Sequence, residues 1–219
     1  MLRRLTALSA KPIVLAVGSI ALAVGGLAAA VTQSETVTRA DTAANQTVHT
    51  RATLEGTEMS FAVTDLAGSS TVWLITAAAF VLLVALRHWR GAIALVVAVA
   101  STQLVVDLLK EAIERPRPDA AFVEPSGFSF PSAHSATGMA LYLMLTLIAA
   151  RAASGRLRVL IAVLGGSVIV AIGMTRVYLG AHYPTDVLAG WLTGAAIVLL
   201  SWQLAKRLPL PHPNPARGY

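Results

Sequence analysis

The feature that most constrains this chain is a series of long apolar runs separated by shorter polar segments. Crossing the hydrocarbon core of a bilayer, roughly 30 Å thick, takes about 20 mainly apolar residues in a helix. We count six such runs in a chain of 219 residues, of which 56% are hydrophobic and 13% charged. The pattern predicts an all-α polytopic membrane protein with six transmembrane helices. The runs lie approximately at 12–32, 71–87, 91–109, 134–150, 157–174 and 186–204.

The spacing of the runs leaves no room for a separate soluble domain, so residues 1–219 are expected to form one integral membrane domain. The longest polar stretch, 33–70, is expected to be a loop outside the membrane. The first run follows Arg3 and Arg4, and could therefore be a cleaved secretory signal within residues 1–30. A signal core is typically about 7–15 residues, which is shorter than this run, so we favour an uncleaved anchor.

Charge separates sharply between the two faces of the membrane if both chain ends lie on the same face. One face then carries eleven basic residues and no acidic one, whereas the other carries all eleven acidic residues and six basic ones. Cytoplasmic loops are enriched in Lys and Arg, so the first face, with both termini, is predicted to be cytoplasmic and 33–70 extracytoplasmic. The net charge of +6 is thus an orientation signal, and no nucleic-acid partner is expected. The cytoplasmic set is Arg3, Arg4, Lys11, Arg87, Arg90, Arg151, Arg156, Arg158, Lys206, Arg207 and Arg217.

Three segments on the predicted extracytoplasmic face combine chemically active side chains with helix-breaking residues. The first, 110–118 (KEAIERPRP), ends the third run, because Pro116 and Pro118 prevent a helix from continuing. Lys110 at the helix end and Arg117 in the loop can then converge. Four neighbouring charges are interpreted as helix-end residues that reach toward water or pair with the helix dipole, namely Asp107, Glu111, Glu114 and Arg115.

The second segment, 130–135 (FPSAHS), directly precedes the fourth run. Ser132 is typical of a helix N-cap. The backbone amides of Ala133 and His134 would then be unpaired at the positive end of the helix dipole, an arrangement that suits a phosphate group. His134 would stand in the first helical turn beside that anion.

The third segment, 175–186 (TRVYLGAHYPTD), joins the fifth and sixth runs and supplies Arg176, His182 and Asp186. Pro184 suits the start of a helix and Asp186 its first turn. The carboxylate of Asp186 can accept a hydrogen bond from His182 and direct the other ring nitrogen toward a substrate. A base oriented by a third group is typical of an activated nucleophile.

Together, the three segments resemble the three signature motifs of the type 2 phosphatidic acid phosphatase family. Six residues separate Lys110 from Arg117, five separate Arg176 from His182, and three separate His182 from Asp186, as in the family pattern. The second segment supplies the Pro-Ser-x-His motif. The resemblance implies a bundle of six transmembrane helices whose phosphate-binding residues are Lys110, Arg117, Ser132, Ala133 and Arg176.

The chain departs from the family pattern at two positions. Ala133 stands where the family usually has Gly, and Thr175 where it usually has Ser. Neither change removes a titrating group, and Ala133 costs little if only its backbone amide contacts phosphate. The resemblance covers about 110–190, the catalytic motif region, and leaves 33–70 unexplained.

The resemblance implies a lipid phosphatase in which His182, oriented by Asp186, attacks phosphorus while His134 protonates the leaving group and later activates water. Candidate substrates are phosphatidylglycerol phosphate, phosphatidate, and polyprenyl phosphates or diphosphates. No cofactor or metal is expected, because metal-ligand spacings are missing and three nearby cations would repel a divalent ion. The expected partners are a membrane lipid phosphate and the bilayer. The use of fourteen Arg against three Lys hints at a GC-rich genome and thus a bacterial plasma membrane.

Two other classes of function remain open from the sequence. A lipid phosphotransferase would use the same pocket but pass the phosphoryl group to a lipid acceptor. A noncatalytic lipid-phosphate carrier would be expected to lack one of the catalytic groups, and none is lost in this chain. The soluble vanadium haloperoxidases related to the family are disfavoured by the six apolar runs.

Overall fold

The structure, a computed structural model, describes residues 10–119, 121–122 and 126–209. Arg3, Arg4 and Arg217, which contribute to the predicted orientation, lie outside these residues. The described residues form eight α-helices, joined in part by a short 3-10 turn at Asp65–Ala67. The helices are α1 (Ala10–Gln33), α2 (Glu35–His49), α3 (Leu54–Thr64), α4 (Ser69–Ala85), α5 (Trp89–Ile113), α6 (Ala133–Ala152), α7 (Gly155–Tyr178) and α8 (Pro184–Arg207).

Within the described residues, five helices are long and apolar enough to cross a bilayer by themselves: α1, α5, α6, α7 and α8. The remaining predicted run, 71–87, coincides with α4, which has 17 residues. With α3 it forms a pair bent by 46°, which provides up to one further span. The bend arises at Gly68, whose extended conformation (φ −62°, ψ 146°) interrupts the helical backbone. The prediction of an all-α polytopic membrane protein is confirmed.

The polar stretch 33–70 is largely helical because two capping residues start helices within it. Ser34 accepts a hydrogen bond from the N–H of Val37 and begins α2. Thr53 does the same for Gly56 and begins α3. A capping side chain satisfies one of the N–H groups that the first helical turn leaves without a partner.

The centre of the bundle is α6, which packs against α5, α7 and α8. The backbones of α6 and α8 lie close together, because a Cβ added to Gly190 would lie 2.6 Å from the carbonyl oxygen of Ser132. Gly194, one turn further along α8, is similarly close to the backbone at Ala136. Small residues four apart allow membrane helices to approach this closely. The contact seats the start of α6 against α8.

The chain reverses direction at each connection from α5 to α8, so the ends that carry the predicted site residues meet at one end of the bundle. These are the C-terminal ends of α5 and α7 and the N-terminal ends of α6 and α8. Both α2 and α3 also lie there, packed against α7. The basic residues Arg90 and Arg158 lie at the opposite end, where they donate hydrogen bonds to the carbonyls of Leu208 and Ala153.

Candidate active site

The loop that follows α5 folds back over the end of that helix. Glu114 adopts a left-handed conformation with φ 50° and donates its N–H to the carbonyl of Lys110 at 2.9 Å. The chain then returns, so that Lys110 Nζ donates to the carbonyl of Phe128. Arg117 Nε donates to the adjacent carbonyl of Gly127 at 2.8 Å. The structure therefore brings Lys110, at the end of α5, and Arg117, in the loop, to adjacent carbonyls of the same loop.

Ser132 is the N-cap of α6, as its sequence context predicted. Its side-chain oxygen accepts a hydrogen bond from the N–H of Ser135 at 3.4 Å. Its own N–H donates to the carbonyl of Asp186 at 3.0 Å, which ties the start of α6 to the start of α8. Within the described part of the chain, the N–H groups of Ala133 and His134 have no acceptor. They form a positive helix end that is open to an anion.

A tight turn after α7 carries His182 back toward Arg176. Gly180, with φ 68°, donates its N–H to the carbonyl of Val177 at 3.0 Å. The N–H groups of Ala181 and His182 donate to the carbonyl of Arg176 at 3.1 and 3.2 Å. This is the Schellman arrangement, which needs a left-handed residue that glycine adopts at little cost. His182 is adjacent to Arg176 because Gly180 reverses the chain.

The imidazole of His182 is 2% exposed, and its two nitrogens face groups of opposite charge. Nε2 lies 3.2 Å from Nη1 of Arg117. A guanidinium can only donate, so Nε2 is the acceptor and the proton of the neutral ring resides on Nδ1. Nδ1 faces Oδ2 of Asp186 at 3.6 Å, a distance longer than a hydrogen bond. The ring therefore presents the lone pair of Nε2 to the cationic side of the site.

Burial lowers the pKa of His182 to about 4. The charges of Arg117 and Arg176 also lower this pKa, whereas Asp186 raises it. Since the folded-state pKa lies far below 7, the ring is neutral at neutral pH. A neutral imidazole keeps the lone pair that nucleophilic attack requires.

Asp186 is fully buried and is held by three hydrogen-bond donors. Its Oδ1 accepts from Arg115 Nη1 at 2.6 Å. Its Oδ2 accepts from the N–H of Tyr183 at 2.9 Å and from the hydroxyl of Ser129. The interpretation of Arg115 as a helix-end charge directed toward water is wrong. Its side chain is 5% exposed and bridges Asp186 to Asp41, whose Oδ2 lies 2.7 Å from Nη2.

Three groups that contact the predicted site residues were not expected from the sequence, namely Asn45, Thr64 and Ser129. A fourth, Asp41, is linked to Asp186 through Arg115. The partners of Arg115 are 74 and 71 residues away in the chain, so no local spacing could indicate the pairing. One usable signal was present. Asp41 and Asn45 are four residues apart, which places both polar side chains on one face of a helix.

Arg176 enters the site from α7 and is almost fully buried. Its Nη1 donates to the hydroxyl of Thr64 at 2.9 Å. Its Nε has no hydrogen-bond partner within the described ranges. Among the described residues, Lys110, Arg117 and Arg176 form no ion pair with a carboxylate, in contrast to Arg115. These three cations are available to an anion.

His134 is partly buried in the first turn of α6. It lies within electrostatic range of His182 and of the three cations Lys110, Arg117 and Arg176. The two histidines and the three cations therefore share one site. In the part of the chain that the structure describes, no group of three or more His, Asp or Glu side chains is placed to hold a metal ion.

The fold and the site define a class: an integral membrane helix bundle with a histidine-containing, cationic anion site at one end. The model of the PAP2 superfamily matches residues 91–209. The chain belongs to the PAP2 superfamily, as the resemblance to type 2 phosphatidic acid phosphatases implied.

Similar proteins include two curated bacterial enzymes. Phosphatidylglycerophosphatase B of Bacillus subtilis (strain 168) is 36% identical over 117 residues, which cover 52% of this chain and 57% of that protein. Lipid A 1-phosphatase of Rhizobium johnstonii is 37% identical over 148 residues, which cover 55% of this chain and 57% of that protein. The chain thus matches less than two thirds of the length of either relative.

A solved structure shares most of the fold. The crystal structure of a transmembrane PAP2 type phosphatidylglycerolphosphate phosphatase from Bacillus subtilis matches with a TM-score of 0.78 and 28% sequence identity. The match covers 88% of this chain and 96% of that chain. The similarity therefore extends well beyond residues 91–209, into the N-terminal helices.

Proposed function

We propose that this protein is a metal-independent lipid phosphate phosphatase that acts through a phosphohistidine on His182. The observation that carries the proposal is the buried His182, whose Nε2 faces Arg117 in a site with three cations that form no ion pair with the described carboxylates. The similar proteins support it, because both curated enzymes are named as phosphatases of membrane lipids.

In the proposed mechanism, the three cations hold the equatorial oxygens of the phosphate. Lys110, Arg117 and Arg176 supply the positive charge that phosphoryl transfer needs, and none of them is neutralised by a carboxylate within the described residues. The Ser132 cap keeps the amides of Ala133 and His134 open, so that they add two N–H donors at the positive end of α6.

The first step forms a nitrogen–phosphorus bond and breaks the phosphorus–oxygen bond of the leaving group. The lone pair of His182 Nε2 attacks phosphorus, and the departing oxygen takes a proton from His134. The phosphorylated ring is positively charged, and the carboxylate of Asp186 faces its Nδ1–H.

The second step hydrolyses the intermediate and restores the enzyme. His134, now neutral, accepts a proton from water, and the water oxygen attacks phosphorus. The nitrogen–phosphorus bond breaks, and its electron pair returns to Nε2 of His182. Inorganic phosphate leaves, with His134 again protonated.

The substrate proposed is a phosphomonoester or diphosphate of a membrane lipid. The site lies where the ends of α5 to α8 meet, at the level where a helix bundle of this length reaches the lipid headgroups. The candidates are phosphatidylglycerol phosphate, phosphatidate, and polyprenyl phosphates or diphosphates.

Purified protein in detergent should release inorganic phosphate from at least one of these lipids when each is offered alone. With a single lipid and water as the acceptor, release of free phosphate distinguishes hydrolysis from phosphotransfer. Transfer of the phosphoryl group to added lipid acceptor, with no free phosphate, would instead favour a phosphotransferase. Binding of the lipid without any turnover would favour a carrier.

The same assay tests metal independence. Turnover should persist in excess EDTA, because Lys110, Arg117 and Arg176 supply the positive charge that a metal would otherwise provide. Vanadate should inhibit, since its five-coordinate form resembles phosphorus during transfer. Loss of activity in EDTA with recovery on adding Mg²⁺ or Zn²⁺ would refute this part of the proposal.

We propose that the site faces the extracytoplasmic side, with both termini in the cytoplasm. The support is the charge separation along the sequence: the order of the apolar runs assigns all eleven acidic residues to the face of the site and eleven basic residues to the other face.

Cysteine labelling tests the orientation, since the chain has no native cysteine. Thr47 in α2 and Ser154 between α6 and α7 are both exposed and lie at opposite ends of the bundle. In intact cells, a membrane-impermeant maleimide should label Thr47→Cys and not Ser154→Cys. Permeabilised cells, in which both should react, provide the control, and the reverse pattern in intact cells would place the site in the cytoplasm.

A further inference from the structure

One face of α2 presents polar side chains to the loop after α5 and to the turn between α7 and α8. Asp41, Asn45 and His49 recur at four-residue intervals, which places them on the same side of the helix. Asp41 and Asn45 are 4% and 5% exposed, although most of α2 is polar and solvent-facing. These residues lie outside 91–209, the part of the chain that the family model matches. The family motifs therefore do not account for them.

Asp41 is bound by groups from both sides of the site. Its Oδ2 accepts from Arg115 Nη2 at 2.7 Å and from the hydroxyl of Thr185. Its Oδ1 accepts from the N–H of Thr185 at 3.3 Å. Asp41 thus joins α2 to the loop after α5 and to the first turn of α8.

Several groups hold the guanidinium of Arg115, which links Asp41 to Asp186. Its Nη1 donates to Asp186 Oδ1 at 2.6 Å and to the hydroxyl of Thr185 at 2.8 Å. The face of its guanidinium stacks on Tyr183, 4.1 Å from the ring centroid. With one oxygen of Asp186 held by Arg115, the other oxygen is oriented toward His182.

The charge of Asp41 determines how strongly Arg115 neutralises Asp186. A single guanidinium shared between two carboxylates leaves a net negative charge on the three groups. Without Asp41, Arg115 and Asp186 would form a neutral pair. Asp186 would then stabilise the positively charged phosphohistidine ring less well.

Asn45 acts on the nucleophile by a separate route. Its Nδ2 donates to the backbone carbonyl of His182 at 2.9 Å, across 137 residues of sequence. This bond fixes the segment between Gly180 and Pro184, on which the direction of the imidazole depends.

Buried ion pairs of this kind are poor stabilisers, because desolvation offsets much of their attraction. A well-packed apolar set of similar volume would often be as stable. The arrangement of Asp41, Arg115 and Asp186 is therefore better explained by its effect on His182 than by stability.

We propose that α2 is a positioning element of the active site, in which Asp41, acting through Arg115, maintains the charge and orientation of Asp186, and Asn45 fixes the His182 backbone. The inference rests on the proposed phosphatase function. Asp41, Asn45 and Arg115 are positioning residues, since they act on the reaction through Asp186 and His182.

The test compares Asp41→Asn with Glu35→Gln in the full-length protein in detergent. Both variants remove one carboxylate charge from α2, but Glu35 is 83% exposed and, among the residues that the structure describes, pairs only with Arg39 on the same helix. With p-nitrophenyl phosphate, the burst of p-nitrophenolate reports the rate of phosphoenzyme formation. Asp41→Asn should lower this rate about tenfold, a typical effect of losing a group that orients an active-site residue. The inhibition constant of inorganic phosphate should change little, and Glu35→Gln should match the wild type.

A second variant, Asn45→Ala, removes a neutral group and keeps the inference testable if Asp41→Asn does not fold. Its burst rate should fall roughly fivefold, the rate equivalent of one hydrogen bond. Thermal unfolding of each variant distinguishes a positioning role from a purely structural one. A purely structural role predicts a lower Tm with an unchanged burst rate per folded molecule.

The outcomes are distinguishable from one another. A wild-type burst rate in folded Asp41→Asn and Asn45→Ala would overturn this inference and leave the phosphatase proposal intact. A higher inhibition constant of phosphate with an unchanged burst rate would also overturn this inference, since that result would assign α2 to phosphate binding. Absence of turnover and of phosphoenzyme in the wild type itself would refute the phosphatase proposal, and this inference with it.

Discussion

His182→Ala is expected to abolish turnover on every substrate, by about 10⁴-fold or more, because the proposed phosphoenzyme then has no nitrogen to form on. The reason lies in the environment of the ring. Burial keeps His182 neutral, and Arg117 directs the lone pair of Nε2 into the cationic site. His134 lies in the first turn of α6, whereas His182 lies between α7 and α8, four residues before Asp186. Multiple-turnover phosphate release is the measurement.

His88→Ala is the matched control for this prediction. His88 is exposed between α4 and α5, at the opposite end of the bundle, and its loss should leave turnover unchanged. The unfolding temperature of His182→Ala should be measured in parallel, since a buried side chain is removed. Residual turnover within about tenfold of the wild type, in folded protein, would show that His182 is not the nucleophile.

His134→Ala is expected to reduce activity to a degree that depends on the leaving group. General acid catalysis is typically worth about 10² to 10⁴-fold. With an alkyl phosphate, whose departing alkoxide needs a proton, the rate of the first step should fall by that full factor. With an aryl phosphate or a diphosphate the rate should fall much less, because the leaving group is stable without protonation. Single-turnover measurements on the two kinds of substrate test this difference directly.

Trapping of the intermediate separates the roles of the two histidines. His134→Ala should accumulate radiolabelled phosphate on the protein with an aryl phosphate, since the activation of water in the second step is also impaired. The label should be labile in acid and stable in base, as a phosphohistidine is. Equal labelling of His182→Ala would overturn the assignment of the nucleophile, and equal losses on both substrates would remove His134 from the role of general acid.

The membrane class of this protein could be predicted because it depends on local properties of the chain. Each apolar run is long enough to satisfy its own backbone hydrogen bonds as a helix and to match the bilayer. The start of α6 at Ser132 and of α8 at Pro184 followed from local capping preferences. The second span was less predictable, because its bend depends on the backbone of Gly68.

The sequence predicted only some of the residues that belong to the site. Spacing within each motif identified Lys110, Arg117, Arg176 and both histidines as candidates, and the fold brings these residues to one end of the bundle. Their catalytic and phosphate-binding roles stay predictions. Spacing along the sequence does not give the distance in space between the motifs. Here that distance depends on the close packing of α6 against α8 at Gly190.

Arg115 marks the limit most clearly. As a residue between Glu114 and Pro116 it had the local character of a solvated helix-end charge. The tertiary structure buries it between Asp41 and Asp186, which come from opposite ends of the sequence. A charge is stable in such a place only if its partners arrive with it, and those partners are positioned by helix packing rather than by neighbouring residues. The length of the apolar runs and the spacing of the motifs are local properties of the sequence, whereas the pairing of buried charges arises only when the folded helices pack together.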